Sequence, residues 1–359
     1  MVMSAPLPLR VGLLGYGVAG SVFHAPLIAV TEGLRLAAVV TANPQRQAQV
    51  QRDHPQARVL DRAEQLFESG ELDLVVVATP NRLHAALARM AVQAGLPVVV
   101  DKPLAATSAE GRQVVEEARR QGVPLTVFQN RRWDGDFLTV LRLIGDGVLG
   151  EVLRFESRFE RWRPTISAGW REEAAPEEAG GTLFDLGSHL VDQALQLFGR
   201  VVSIYAEVDR RRPGAQVDDD TFVALTHAAG TRSHLWMSAV AAQLGPRMRV
   251  LGTRAGYTKY GLDVQEEALR AGERPDRDGW GEDPPHRWGK VGVDEDLREL
   301  RTEPGCYQRF YASLVAALRE GAPLPVDPAE SVTVLEILEM ARNSASHGAA
   351  IPVDSAPTT

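Results

Sequence analysis

Nothing in the chain restricts its fold more than VGLLGYGVAGSVFHAPLI, residues 11–28, where a short apolar run meets a glycine-rich turn and then a helical pattern. Gly15, Gly17 and Gly20 have the spacing G-x-G-x-x-G. The first glycine permits a tight turn, the second lets a pyrophosphate approach the backbone, and the third lets helix and strand pack closely. Free amide groups at the helix start then face the phosphate charge. Tyr16, Val18 and Ala19 complete the candidate cofactor turn. The spacing points to a dinucleotide only inside a strand–turn–helix unit; elsewhere it is a glycine-rich turn that binds nothing.

The residues up to 128 supply that setting. RVGLLG, LRLAAVVT, LDLVVVAT, LPVVVDK and VPLTVFQ read as strands buried on both faces, with a weaker one at ARVL near Val59. Helical stretches fall between them at 19–30, 43–53, 62–69, 82–94 and 108–121. Thr107 and Glu110 have capping-box spacing, and Gly122 stands where a helix often ends. Strict alternation predicts right-handed crossovers and a doubly wound parallel sheet, with ligands at the carboxyl ends of its strands.

An NAD site usually places Asp or Glu at the end of the second strand, on the ribose hydroxyls. Here the stretch is VVTANPQRQ, with Thr41, Asn43 and Arg46 and no carboxylate. A hydroxyl and a nearby arginine suit a 2′-phosphate, so NADP(H) is expected in preference to NAD(H). Arg46 could instead be a solvated residue of a first helical turn.

Two motifs carry candidate chemistry. VVVDKP puts Asp101, Lys102 and Pro103 after the fifth strand, on the same edge as the glycine turn. A lysine there can polarise a substrate oxygen, because its ammonium is a compact point charge. GGTLFDLGSHLVDQALQLFG, residues 180–199, leads through glycines into a helix that buries Leu183, Leu186, Leu190, Ala194 and Leu197. Asp185 and His189 are four apart and share a face. A histidine beside a carboxylate can act as a general base. Alternatively Asp185, His189, Asp192, Gln193 and Gln196 form a wet stripe. No third ligand has a telling spacing, so no metal site is expected.

The chain has 359 residues, enough for two domains. A net charge of −8 without a basic stretch argues against a nucleic-acid binder. No apolar run approaches the roughly 20 residues that span a bilayer, and MVMSAPLPLR is too short for a secretory signal. The single cysteine, Cys306, excludes a disulfide framework within the chain. These features lead us to expect a cytoplasmic protein with no membrane partner.

The glycine turn, DKP and DLGSH, in this order, resemble the Gfo/Idh/MocA family, named for glucose–fructose oxidoreductase and inositol dehydrogenase. The family's usual motif is Glu-Lys-Pro, and here Asp101 replaces the glutamate. ATPNRLH, residues 78–84, resembles its cofactor-side loop, adding Thr79, Asn81 and His84 to the cofactor candidates, with Asp101 and Lys102. GSVFHAPLI, QNRRWDGDF, YTKYGLDVQEEAL and YQRFYASLVAAL are similar to the NADP-type scyllo-inositol dehydrogenase branch. The likeness covers about residues 9–352.

The resemblance implies a Rossmann domain over 1–128 and a C-terminal α+β domain over 129–359, with a large, mostly antiparallel sheet whose open face makes a homodimer or homotetramer. The alternating runs GEVLRFESRFERW, RVVSIYAEV, DTFVALTHA and TRSHLWMSAV suit such a sheet. Residues 270–305 show no period and read as a functional loop or an arm on a neighbour. The resemblance also implies that Lys102, Asp185 and His189 converge on a reacting hydroxyl: Lys102 orients it, His189 takes its proton and Asp185 assists. The implied activity is NADP-dependent interconversion of a polyol or sugar alcohol and its ketone. A nicotinamide-dependent glycosidase and a non-catalytic NADP(H) sensor are the alternatives. Candidate substrate residues are Arg131, Trp133, Asp134, Arg161, Arg163, Trp170 and Arg171. Each of these clusters could instead be a solvated rim. An arginine-rich pocket would also admit a sugar acid or phosphate.

Overall fold

Short, β-branched strands build the first sheet: β1 (Leu9–Leu14), β2 (Leu34–Val40), β3 (Arg58–Leu60), β4 (Leu74–Val77), β5 (Val98–Asp101) and β6 (Leu125–Phe128). Their order is β3-β2-β1-β4-β5-β6, and every neighbouring pair is parallel. The order reverses between β1 and β4, where sheets of this kind open a ligand crevice. Val75, Val76, Val77, Val99 and Val100 are fully buried, as strands covered on both faces require. The computed structural model describes residues 7–68, 70–166 and 179–353.

The connecting helices are α1 (Ala25–Val30), α2 (Pro44–Asp53), α3 (Ala63–Glu68), α4 (His84–Gln93) and α5 (Ser108–Gln121). Local signals act as predicted. Thr107 Oγ1 accepts from the Glu110 amide at 3.2 Å, and Gly122 ends α5 with φ 66°. One difference is informative: the stretch predicted as a single helix at 19–30 opens with a π-helical turn, Ala19–His24, before α1. The wider turn carries His24, which is fully buried. Such turns often mark functional positions.

The first compact unit comprises Met1–Asn130 together with Gln265–Trp280 and Cys306–Val332. The sequence suggested one cut after residue 128; instead two later segments join this unit. Helix Gln308–Glu320 packs on α1, helix Gln265–Arg270 packs on the Ala19–His24 turn, and Thr126 Oγ1 donates to the Val326 carbonyl at 2.8 Å. Contacts so distant in sequence leave no trace in local composition.

The second unit comprises Arg131–Val264, Gly281–Gly305 and Thr333–Thr359. It contains α6 (Gly135–Gly145), β7 (Val152–Glu160), α7 (Thr182–Asp185), α8 (Gly187–Phe198), β8 (Val201–Asp209), β9 (Asp220–His227) and β10 (Arg232–Ser238). β11 (Met248–Gly252), β12 (Gly256–Lys259), β13 (Gly289–Val293), β14 (Asp296–Leu300) and β15 (Ile351–Pro352) follow. The nine strands run β14-β13-β12-β11-β7-β10-β9-β8-β15, antiparallel except for β7 with β10. In β9, Thr221, Val223, Leu225 and His227 face the core while Asp220, Phe222, Ala224 and Thr226 face outward. The stretch read as a loop or arm divides between the two units: its residues up to Trp280 belong to the first, and Gly281–Gly305, which carries the edge hairpin β13–β14, to the second. β14 is mostly exposed, so it has no alternation to read, and its charges protect the sheet edge. Among the described residues no helix is long and apolar enough to cross a membrane.

Candidate functional site

In the first unit the three glycines differ in what demands them. A Cβ on Gly15 would lie 2.4 Å from the Ala78 carbonyl oxygen, and Gly15 has φ +97°. One on Gly20 would lie 2.2 Å from the Gly15 carbonyl oxygen. Both are glycine because the protein's own backbone leaves no room. A Cβ on Gly17 would meet, among the described residues, nothing nearer than Arg46 Nη1 at 3.9 Å. Packing therefore does not explain Gly17, whereas close approach of a ligand phosphate does. Beside β4, Thr79 Oγ1 is buried with no hydrogen-bond partner among the described residues. These residues fit a dinucleotide.

At the ribose end, Thr41 is buried and Arg46 is exposed, its guanidinium on the Gly17 side. The Asn43 carboxamide caps α2, accepting from the Gln45 and Arg46 amides at 3.0 and 3.1 Å. Tyr16 is buried with its ring edge-on to His54, and burial pushes its phenol up to about 12, so the turn offers a ligand its backbone there. Val18 and Ala19 remain at least partly exposed. Asn81 is buried. His84 corrects the sequence reading. It is fully buried, with Nδ1 2.7 Å from the Pro103 carbonyl and Nε2 2.8 Å from the Thr79 carbonyl. Both ring nitrogens are engaged by backbone, so His84 ties two loops together and presents neither nitrogen to a cofactor. Burial holds its ring below the usual histidine range, partly offset by Asp101 and the two carbonyls.

Asp101 ends β5, and Lys102 and cis-Pro103 follow it. Lys102 is partly exposed. Burial works against ionisation of Asp101, yet His24, Lys102 and His84 outweigh it and hold its carboxyl below the usual range. Only three of the chain's 39 lysine and arginine residues are lysines, Lys102, Lys259 and Lys290. Lys259 is buried against Asp283 at 2.6 Å. In a chain that otherwise uses arginine for positive charge, a lysine after β5 marks a position suited to a compact ammonium. This signal was open to sequence reasoning and was missed.

In the second unit, Asp218 builds the start of α7. Its Oδ2 accepts from the Leu183 amide at 2.7 Å and from Thr182 Oγ1 at 3.0 Å. A Cβ on Gly181 would lie 2.1 Å from Asp218 Oδ1, which explains the glycine. The predicted continuous helix is broken at Leu186, where α7 ends and α8 begins, and the His189 amide donates to the Leu186 carbonyl at 3.1 Å. Leu186 keeps helical angles, φ −101° and ψ −38°, so the chain's sense carries through. The wet-stripe alternative does not hold: His189, Asp192 and Gln193 are buried, and only Gln196 of the five is exposed. Asp192 receives both arms of Arg132, at 2.8 and 2.6 Å. Asp185, partly exposed, lines a cavity of about 70 Å³ with Arg161, Arg163, Thr182, Arg212 and Asp218. Burial pushes the Asp218 carboxyl up.

Two substrate candidates, Arg131 and Asp134, do not line that cavity. Asp134 is fully buried and Arg131 nearly so, 3.4 Å apart. They belong to an internal network. Arg247 donates to Ser157 Oγ at 2.5 Å and Gln193 Oε1 at 3.1 Å, and lies 3.2 Å from Asp136. The Arg131 and Arg247 guanidiniums lie 4.7 and 4.5 Å from the centre of the Phe159 ring, which is 6.2 Å from the His189 ring. The network supports the wall behind His189. Trp133 is half-buried. Trp170 and Arg171 lie outside the described residues.

A doubly wound parallel sheet with a dinucleotide turn, together with a second, mostly antiparallel α/β unit, places the chain in the class of proteins with a nucleotide-binding Rossmann unit and an added α/β unit. Residues 9–129 match the family model "Oxidoreductase family, NAD-binding Rossmann fold" and residues 142–354 match "Oxidoreductase family, C-terminal alpha/beta domain". The chain belongs to the Gfo/Idh/MocA family. It is 38% identical over 340 residues to scyllo-inositol 2-dehydrogenase (NADP(+)) IolW of Bacillus subtilis, covering 94% of this chain and 93% of that one. It is 42% identical over 347 residues to "Uncharacterized oxidoreductase YdgJ" of Escherichia coli, covering 96% and 98%. The structure of yvaA from Bacillus subtilis superposes with a TM-score of 0.92 at 37% identity, covering 97% and 99% of the two chains.

Proposed function

We propose that the protein is an NADP-dependent dehydrogenase that reversibly converts a secondary alcohol of an inositol-like polyol or sugar to its ketone. The observation that carries the cofactor reading is Gly17, open where packing does not require glycine, with Arg46 beside it and no carboxylate at the end of β2. Gly15, Gly17, Val18, Ala19 and the Tyr16 backbone would hold the pyrophosphate, Thr41 and Arg46 the 2′-phosphate, and Thr79 and Asn81 the far side. Bound NADP(H) supplies the two-electron acceptor or donor. Lys102 orients and polarises the reacting oxygen, His189 takes the hydroxyl proton in the oxidative direction, and Asp185 assists His189. The relative named a scyllo-inositol 2-dehydrogenase (NADP(+)) supports the substrate class. Arg161 and Arg163 beside Asp185 are the substrate candidates that the geometry favours. We place the protein in the cytoplasm.

The outward face of the nine-stranded sheet supports a homo-oligomer. Half-buried Phe222, His234 and Trp236 form its centre, with Arg158 stacked 3.8 Å over Trp236. Glu207, Asp209 and Asp220 lie towards one end with Arg211, which is 2.6 Å from Asp209 and 3.6 Å from Asp220, leaving that end net acidic. Arg249, Arg254, Arg287 and Lys290 line a groove of about 860 Å³ towards the other. A twofold arrangement sets basic end against acidic end.

The test is a panel of inositols, aldoses and sugar acids, assayed with NADP+ and NAD+ by absorbance of the reduced cofactor. Reduction of NADP+ by one polyol or sugar, at higher kcat/KM than with NAD+, is expected. Absence of turnover with every member, or preference for NAD+, overturns the reading.

A further inference from the structure

The VFHAPLI and YQRFYASL stretches have no part in the function described so far, yet they meet at one buried point in the first unit. His24 Nδ1 lies 2.6 Å from the Tyr311 hydroxyl, and His24 Nε2 lies 3.6 Å from Asp101 Oδ1. His24 and Tyr311 are fully buried, and the Asp101 side chain is 19% exposed. The Phe128 ring, 4.4 Å from the imidazole, and Phe310, 4.9 Å from Phe128, enclose the row in apolar surface. Water is excluded from His24 and Tyr311, so the contact between them counts for more.

Chemistry fixes the direction of the row. Burial pushes the Tyr311 phenol well above its usual range, Asp101 adding to the effect, so it keeps its proton. If Nδ1 carried hydrogen towards the phenol, the Nε2 lone pair of a neutral ring would face the Asp101 carboxylate. With the phenol donating to Nδ1, the Nε2–H lies on the Asp101 side instead; at 3.6 Å, with Nε2 making no hydrogen bond among the described residues, the contact is electrostatic, an N–H dipole facing the carboxylate charge. The other titratable groups facing Asp101 are Lys102, next in the chain, and His84 from α4.

We propose that His24, oriented by Tyr311, is a positioning residue that holds the Asp101 carboxylate in place and so sets the Lys102 ammonium for the reaction. The inference rests on the reading of Lys102 given above. It also accounts for aspartate in a motif that resembles Glu-Lys-Pro, since a shorter carboxylate sits where a buried imidazole can meet it.

Two substitutions separate this role from simple packing. Glutamine can keep an amide N–H near the Nε2 position, whereas asparagine reaches only the Nδ1 position. The first readout is acylation of Lys102 in the full chain by acetic anhydride, followed by peptide mass and referenced to N-acetyl-lysine in the same solution. His24→Asn and Tyr311→Phe should raise the relative rate at least about threefold as the ammonium loses its fixed counter-charge. His24→Gln should stay within about twofold of wild type. The second readout uses scyllo-inositol and NADP+: His24→Asn lowers kcat about tenfold with KM little changed, and His24→Gln restores it. Tyr311→Phe removes one oxygen without opening the core, so it serves if a His24 variant fails to fold. Unchanged labelling in both His24→Asn and Tyr311→Phe, or equal loss in His24→Asn and His24→Gln, overturns the proposal. Wild-type turnover by Lys102→Ala would overturn the reading of Lys102 instead, a failure that the labelling ratio does not share.

Discussion

At Gly17 an added methyl group meets no described atom nearer than 3.9 Å, whereas at Gly15 and Gly20 it strikes backbone at 2.4 and 2.2 Å. Cofactor binding and folding should therefore separate cleanly among these three residues. Gly17→Ala is expected to leave the urea midpoint unchanged while weakening NADP+ binding at least about tenfold, measured by fluorescence titration. Gly20→Ala is expected to cost about 2 kcal/mol or more, because backbone has to move. Equal effects on stability would show that Gly17 is structural. Arg46→Ala tests the ribose end: the KM for NADP+ should rise about tenfold while that for NAD+ barely changes. Equal changes for both would remove the 2′-phosphate from the account.

At the scale of elements, the loop leading into α6 carries a charge balance with a measurable pH dependence. Burial pushes the Asp134 carboxyl well above its usual range; Asp263 and Asp136 add to this, while Arg131 and Arg247 oppose it. The folded chain therefore keeps a proton that the unfolded chain releases near about pH 4, and stability falls as pH rises from there towards the raised native value. Asp134→Asn removes that titration. Its urea midpoint should fall less between pH 5 and pH 8 than that of the wild type, and an identical fall would contradict the assignment. Elements of this kind also show what the sequence could and could not reveal. The parallel sheet was legible because each strand is an apolar run between helix signals such as Thr107 and Gly122. The one-sided strands of the second sheet were legible by alternation. The π-helical turn at Ala19–His24 was not, since its extra residue has no periodic signature. Nor was β14, an edge strand that buries no face. Among the proposed site residues, Asp185 and His189 stand out by their spacing. The buried roles of Asp134 and His84 depend on partners such as Arg247 and Pro103 that spacing does not expose.

For the whole molecule, the charge pattern on the outward face of the large sheet predicts association of two copies. Arg249→Glu with Lys290→Glu should shift the protein towards monomer in sedimentation velocity, because acidic ends would then face acidic ends. An unchanged sedimentation coefficient would place the contact elsewhere. Lys102 and the Asp185–His189 pair are assigned to one reaction, the interconversion of an alcohol and a ketone. Initial rates of NADPH formation with scyllo-inositol test that assignment most directly. Lys102→Ala and His189→Ala, each confirmed as folded, should lower kcat/KM by about 100-fold or more. Wild-type rates in either variant would contradict it.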